Sequence, residues 1–246
     1  MKYTSLFLLV LFSFTALFCT INQEKEKEEN LRQGESEKDE STSEHAKTYL
    51  ALGDSYTIGE SVDTDKRFPI QLTKMLNESG QYVAEPTIIA RTGWTTDELE
   101  TAIISRNLEP PYDLVTLLVG VNNQYRGRDT AEYREQFVRL LEKSIYFAGS
   151  KKNVMVISIP DYGVTPFGQQ QNPEKIASEI DAFNQINFEE TSQAGAFYVN
   201  ITPISRSAKN NSGLVATDGL HPSAEMYRLW VNEIFPVAKN ILEKNY

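Results

Sequence analysis

Short apolar runs alternate with amphipathic stretches from Thr48 onward. Five of the runs have the length and aliphatic content of buried strands: Thr48–Leu52, Val83–Ala90, Asp113–Val119, Val154–Ile159 and Phe197–Ile201. A continuous apolar run of this length, bounded by turn residues, is typical of a strand covered on both faces. The pattern therefore predicts five strands with helices between them.

The segments between the strands have helical spacing. Apolar residues share one helical face in two of them, at Phe68, Leu72, Met75 and Leu76, and at Tyr133, Phe137, Leu140, Leu141 and Ile145. Further helices are predicted over 95–107 with Thr96 as N-cap, over Pro173–Ala194, and after Ser223, where Pro236 is expected to kink or interrupt the helix. Alternating strands and helices predict an α/β fold, a flavodoxin-like three-layer αβα sandwich around a five-stranded parallel sheet.

The first 47 residues differ in composition from the rest. Residues 1–20 have the form of a secretory signal, with Lys2 before an apolar run from Leu6 to Phe18. The chain's one cysteine, Cys19, follows that run and resembles the lipidation site of a bacterial lipoprotein. An ordinary cleaved signal with an incidental cysteine is the alternative. We expect an exported protein, periplasmic or at the cell surface, whose only membrane contact is an N-terminal lipid anchor.

Residues 21–47 are rich in Glu, Lys and Ser and contain almost no apolar residues. Such a segment cannot bury a core, so it is expected to be a disordered tether, with a solvated helix of Glu/Lys pairs as the alternative. Residues 48–246 then form one domain. The chain has 34 acidic and 24 basic residues and a formal charge of −10, which argues against nucleic acid as a partner. The oligomeric state is left open.

Four polar segments fall at the ends of strands or before a helix: Gly53-Asp54-Ser55-Tyr56-Thr57, Thr92-Gly93-Trp94, Gly120-Val121-Asn122-Asn123 and Asp218-Gly219-Leu220-His221-Pro222. Each alone is a common turn or helix cap. Ligand sites of open parallel sheets lie at the carboxyl ends of the strands, so the four segments are expected to meet at one edge.

These segments supply what acyl transfer by a serine requires. Ser55 offers a hydroxyl at a strand-to-helix corner, and His221 offers a base; the only other histidine, His45, lies in the tether. Asp218 precedes His221 by three residues and can hold its imidazole. Oxyanion donors are expected from the backbone N–H groups of Ser55 and Gly93 and from the side-chain amide of Asn122.

The four segments resemble those of the SGNH hydrolases, also called GDSL esterases and lipases. Ser55, Gly93, Asn122 and His221 match the four residues for which the family is named, over a likeness from Thr48 to about Lys239. The resemblance implies a flavodoxin-like fold, a Ser–His–Asp triad of Ser55, His221 and Asp218, and ester hydrolysis without metal or cofactor. Tyr56 stands where the family name implies Leu, and Asn123 where the family often has Asp.

The substrate is expected to be a small-molecule or glycan ester with a short acyl group. The two longest loops near the site, 161–173 and 205–217, are polar, with Gln169, Gln170, Gln171, Asn210, Asn211 and Ser212. Tyr56, Trp94, Asn123 and Phe167 are the predicted substrate contacts, and the three aromatic residues among them are suited to stacking on a sugar. The alternatives are a lysophospholipase or thioesterase acting on longer chains, and a surface lipoprotein that binds without catalysis.

Overall fold

A five-stranded, all-parallel sheet forms the centre of the chain. The structure, a computed structural model, describes residues 46–243. The strands are β1 (Tyr49–Gly53), β2 (Thr87–Ala90), β3 (Leu114–Leu118), β4 (Val154–Ile157) and β5 (Phe197–Val199), arranged in the order β2-β1-β3-β4-β5. This is the flavodoxin-like order, and it confirms the predicted α/β fold.

The register of the central strands positions the site. β1 pairs with β3 from Tyr49 opposite Leu114 to Gly53 opposite Leu118, and every residue of both strands is buried. The two strands therefore end at the same height. Asp54 and Ser55 leave the sheet beside Val119 and Gly120, so the first and third polar segments lie next to each other.

Helices flank the sheet in two groups. Their bounds are α1 (Ser55–Ile58), α2 (Phe68–Glu78), α3 (Thr96–Ile104), α4 (Val121–Tyr125), α5 (Thr130–Ala148), α6 (Pro173–Ala194), α7 (Thr202–Arg206) and α8 (Ala224–Glu243). α2 packs against α8, while α5 packs against α3 and α6. The sheet order reverses at β1, so right-handed crossovers send α2 to one face and α3, α5 and α6 to the other.

Several element bounds differ from the predictions; β4 and β5, for example, each end two residues early, at Ile157 and Val199. The strand predicted over 83–90 begins only at Thr87, because Pro86 has no N–H for the ladder; Val83 forms an isolated bridge with Lys47. The helix predicted over 95–107 ends at Ile104, and its N-cap is Thr95, not Thr96. Pro236 lies inside α8 without interrupting it.

Ser223 caps the helix that was predicted to follow it. Ser223 Oγ accepts the N–H of Met226 at 3.2 Å, and the Ser223 carbonyl accepts the N–H of Tyr227 at 3.0 Å. These contacts satisfy backbone donors in the first turn of α8. The helix therefore begins directly after the segment that carries Asp218 and His221.

The predicted signal, Cys19 and nearly all of the tether lie outside the described residues. Lys47, placed in the tether by its composition, instead bonds to the domain: its N–H donates to the Tyr82 carbonyl at 2.8 Å and its Nζ to the Leu242 carbonyl at 3.0 Å. Within residues 46–243, no helix has the length and apolar content needed to cross a bilayer.

Candidate active site

Ser55 sits on a tight corner between β1 and α1. Gly53 ends the strand where a Cβ atom would collide with the Thr57 side chain and the Leu118 carbonyl, so only glycine fits there. Asp54 caps α1 by accepting the N–H of Tyr56 at 3.0 Å. Ser55 is then the first residue of α1, and its side chain is almost fully buried, with 4% of the residue exposed.

Asp54 is a fully buried carboxyl group next to Ser55. Burial raises the pKa of Asp54 to about 7, although the N–H groups of Tyr56 and Gly120 favour the charged form. Its Oδ2 atom has no hydrogen-bond partner among the described residues. The contact with Gly120 links the Ser55 corner to the segment that carries Asn122.

Asp218 and His221 form a bonded pair in the loop before α8. Asp218 Oδ2 lies 2.6 Å from His221 Nδ1, while Oδ1 accepts the N–H groups of Leu220 at 2.9 Å and His221 at 3.0 Å. Burial acts to raise the pKa of Asp218, but hydrogen bonds from His221, Leu220 and Ser61 outweigh it and hold the pKa well below its usual value. Asp218 is therefore ionised at neutral pH and faces Nδ1, which leaves Nε2 as the free imidazole nitrogen.

One cavity brings the four predicted segments together. Its volume is about 200 Å³, and its lining residues are Ser55, Tyr56, Thr92, Gly93, Val121, Asn122, Tyr125, Tyr162, Phe167, Leu220 and His221. Ser55 and His221 are both buried at its floor, at 4% and 8% exposure. The structure thus joins one residue from each of the four family positions in a single pocket.

Hydrogen-bond donors surround this cavity. The N–H groups of Ser55 and Gly93 have no acceptor among residues 46–243, so both are available to a bound oxygen. Gly93 has a positive φ of 89°, and Arg126 donates to its carbonyl at 2.7 Å. Asn122 Nδ2 donates one hydrogen to the Trp94 carbonyl at 2.9 Å, and its second hydrogen remains for another acceptor.

Two of the four predicted substrate contacts line the cavity, and two do not. Tyr56 and Phe167 are among its walls. Trp94 lines a separate surface pocket beside α3, and its carbonyl accepts a hydrogen bond from the cavity residue Asn122. Asn123 is fully buried: its Oδ1 accepts the N–H of Thr96 at 3.0 Å, and its Nδ2 donates to Thr96 Oγ1 at 2.7 Å. The substrate-contact predictions for Trp94 and Asn123 are therefore not supported.

Tyr125 and Tyr162 were missed by sequence reasoning. With Phe167 they form an aromatic wall, in which the three ring centroids lie 6.2–6.3 Å apart. Tyr125 is 55% exposed, and it lies three residues, or about one helical turn, after Asn122 in α4. This spacing was the one signal in the sequence for Tyr125, because a residue one turn past Asn122 lies on the same side of the helix.

The polar loop residues that were predicted to form the walls of the site do not line the cavity. Loop 161–173 does approach the cavity, and its Phe167 donates its N–H to the Gly219 carbonyl at 2.9 Å, whereas no residue of 205–217 lines the cavity. Yet none of the six polar residues that predicted a polar wall lines it: Gln169, Gln170, Gln171, Asn210, Asn211 and Ser212. Loop 161–173 contributes Tyr162 and Phe167 instead, so the cavity is more aromatic than the composition of the two loops suggests.

A parallel sheet with a buried serine, a bonded His–Asp pair and unpaired N–H groups in one pocket defines an α/β serine hydrolase. The chain belongs to the GDSL-like lipase/acylhydrolase family, which matches residues 51–229. It is accordingly a carboxylic ester hydrolase of the SGNH type. No curated protein sequence matches the chain significantly.

Solved structures agree in fold. The lipase/acylhydrolase from Enterococcus faecalis superposes with a TM-score of 0.64 at 21% identity, covering 79% of this chain and 96% of its own. TesA superposes at 0.63 with 19% identity over 79% of this chain and 99% of its own. The acetylxylan esterase Axe2 from Geobacillus stearothermophilus gives 0.62 and 14%, over 78% and 94%.

Proposed function

We propose that Ser55, His221 and Asp218 are the catalytic triad of an esterase that removes short acyl groups from sugars or similar carriers. The observation that carries the proposal is the 2.6 Å contact between Asp218 Oδ2 and His221 Nδ1, in a loop whose histidine lines the same cavity as Ser55. Asp218 keeps the imidazole in the tautomer whose Nε2 can accept a proton.

The proposed cycle has two halves. The Ser55 hydroxyl attacks the ester carbonyl as His221 Nε2 takes its proton, and the carbonyl oxygen becomes negative. The C–O bond to the alcohol then breaks, and His221 returns the proton to the leaving oxygen. Water, deprotonated by His221, attacks the acyl-enzyme, and the carboxylic acid leaves as Ser55 regains its proton.

The developing oxyanion is assigned to three donors: the backbone N–H groups of Ser55 and Gly93 and the amide of Asn122. Support comes from their free hydrogens at the cavity wall. Each is held before substrate arrives, Ser55 by α1, Gly93 by Arg126 and Asn122 by the Trp94 carbonyl. Donors fixed in advance stabilise the transition state without a cost for reorganisation.

A short acyl group is favoured by the size of the pocket. Its volume of about 200 Å³ is below the roughly 300–1,000 Å³ of pockets that enclose drug-sized ligands. The exposed ring of Tyr125, beside Tyr162 and Phe167, offers a face on which a sugar carrier can stack. The fold shared with an acetylxylan esterase is consistent with this assignment.

A longer acyl chain is the second candidate, and the chemistry of the walls favours it. Val121, Phe167 and Leu220 give the cavity an apolar lining, which a fatty chain requires. Volume and lining thus point to different chain lengths. The volume favours the short acyl group over the long one, because each additional methylene group must find space as well as apolar contact.

Acyl length is tested with p-nitrophenyl esters of two to sixteen carbons, kept below their aggregation limits. We expect kcat/KM to be highest for acetyl or butyryl and to fall steeply by dodecanoyl. A maximum at eight carbons or beyond would reject the short-acyl proposal in favour of a lysophospholipase or thioesterase.

The carrier is tested separately with acetylated oligosaccharides. Tyr125→Ala should raise KM for them, whereas Tyr146→Ala removes a tyrosine that is even more exposed but does not line the cavity, and it should leave KM unchanged. Equal KM values for the two variants would show that Tyr125 does not bind the carrier.

We also propose that the enzyme is exported and attached to a membrane through a lipid on Cys19. The support is the sequence alone: the apolar run from Leu6 to Phe18 directly precedes the chain's single cysteine. In a bacterial host, Cys19→Ala should move the enzyme from the membrane fraction to the soluble fraction. A wild-type protein that is already soluble and begins after residue 19 would contradict the proposal.

A further inference from the structure

Ser61 has an unusual backbone conformation. Its φ of 65° makes it the one residue other than glycine with a positive φ in the part of the chain described here. It occupies the third position of a turn from Gly59 to Val62, closed by a 3.4 Å bond from the Val62 N–H to the Gly59 carbonyl. Glycine or asparagine ordinarily fills such a position, because a side chain makes positive φ costly.

The Ser61 side chain contacts the charged partner of His221. Ser61 Oγ donates to Asp218 Oδ2 at 2.7 Å, across 157 positions of sequence. This is the same carboxylate oxygen that lies 2.6 Å from His221 Nδ1. Asp218 Oδ1 accepts two backbone N–H groups from the loop that carries Asp218. Among the described residues, Ser61 therefore supplies the one hydrogen bond to the Asp218 carboxylate from outside that loop.

The turn that carries Ser61 is bonded to Ser55. Both Gly59 and Glu60 donate their backbone N–H groups to the Ser55 carbonyl, each at 3.0 Å. These two hydrogen bonds attach the turn to the first residue of α1, while the Ser61 hydroxyl bonds to the loop before α8. It connects the two parts of the site that otherwise come from opposite ends of the domain sequence.

We propose that Ser61 is a positioning residue, which fixes Asp218, and through it His221, relative to Ser55. The inference rests on the proposed roles of those three residues. A strained backbone is typical of sites where function, not folding, selects the conformation. Here the strained backbone places the Ser61 hydroxyl where it donates to the Asp218 carboxylate. A charge-assisted hydrogen bond of this kind is among the stronger ones in proteins.

Ser61 also shares the charge of Asp218 with His221. Without the hydroxyl, Asp218 Oδ2 keeps only His221 Nδ1 as a hydrogen-bond partner among the described residues, so the carboxylate and the imidazole it holds are less well fixed. Other charged groups also act on this region: Asp54, Glu60 and Arg67 on the Tyr227 hydroxyl, and Asp161 on Tyr56 beside His221. A change at Ser61 leaves all of them in place.

The decisive variant is Ser61→Gly, because glycine accepts a φ of 65° without strain and lacks only the hydroxyl. We expect kcat/KM for p-nitrophenyl acetate to fall about three- to tenfold, the loss expected for one ordinary hydrogen bond, because Ser61 acts on His221 only through Asp218. The thermal midpoint should stay equal or rise. The loss should fall on kcat with KM nearly unchanged, because Ser61 does not line the cavity.

Two further variants separate positioning from a structural role. Ser61→Asn tolerates positive φ and keeps an N–H donor, so it should retain more activity than Ser61→Gly. Ser105→Ala removes an exposed hydroxyl that bonds only to the Ala102 carbonyl and serves as the control.

The inference is overturned if Ser61→Gly keeps the wild-type kcat/KM, or if its loss is confined to KM. It is equally overturned if Ser61→Gly and Ser61→Asn lose activity to the same extent together with thermal stability. Failure of the proposed function gives a different result, since the wild type itself would then lack ester turnover or would retain it after Ser55→Ala.

Discussion

Asn122 and Asn123 are neighbours in α4 with different environments. Asn122 lines the cavity and keeps one amide hydrogen free, whereas Asn123 is fully buried and bonds to Thr96 at the start of α3. Successive residues of a helix point about 100° apart, so the Asn122 amide faces the cavity and the Asn123 amide faces the core. The pair therefore allows the proposed catalytic role of Asn122 to be compared with the structural role of Asn123.

Asn122→Ala should lower kcat by about 10²–10³, or roughly 2.7–4 kcal/mol, the usual loss for one oxyanion donor. Steady-state kinetics with p-nitrophenyl acetate provide the measurement. Asn123→Ala should instead lower the free energy of unfolding by about 1–3 kcal/mol, because it leaves buried groups of Thr96 unpaired. A change confined to KM in Asn122→Ala would mean that this amide binds the substrate and does not stabilise the transition state.

The type of each helix and strand was easier to predict than the residues at which it begins and ends. All five strands and the long helices follow from the apolar pattern, because each must bury one face or both. Their bounds depend on single contacts. Thr95 and Thr96 are both suitable caps, and the choice falls on Thr95 because Glu98 Oε2 accepts its N–H at 2.9 Å while Thr96 Oγ1 turns inward to Gln136 and Asn123.

Removing the cap of α3 should cost stability in a defined amount. Thr95→Ala is expected to lower the free energy of unfolding by about 1–2 kcal/mol, since the hydroxyl bonded to Asp97 at 2.6 Å is lost from a buried position. Urea denaturation measures the change. Thr101→Ala, on the exposed face of the same helix, should stay within about 0.5 kcal/mol of wild type. Equal effects at both positions would show that Thr95 is not the cap.

At the scale of the whole molecule, the sheet edge explains why the site was predictable. Ser55, Gly93 and Asn122 each follow a strand, and parallel strands deliver their carboxyl ends to one edge. Tyr125 and Tyr162 were not predictable, because their direction depends on how α4 and the loop after β4 pack against each other. The same limit applies to Ser61, whose partner lies 157 residues away.

The buried Asp54 should make the stability of the whole domain depend on pH. Its folded pKa, about 7, lies above the unfolded value of about 3.9, so its stabilising contribution is fully present below pH 4 and is lost as pH rises through 7. The wild type should therefore lose a few kcal/mol of unfolding free energy between pH 4 and 8 that Asp54→Asn does not lose. Urea midpoints at several pH values test this, and parallel curves for both proteins would contradict it.

The assignment of Ser55 as nucleophile is the centre of the account, and a fluorophosphonate probe tests it most directly. The probe forms a covalent bond with an activated serine, so wild type should be labelled and lose all ester turnover. Ser55→Ala should show neither labelling nor turnover, with thermal unfolding nearly unchanged, while Ser105→Ala should behave as wild type. Labelling that persists in a folded Ser55→Ala protein would place the nucleophile on another serine and contradict the account.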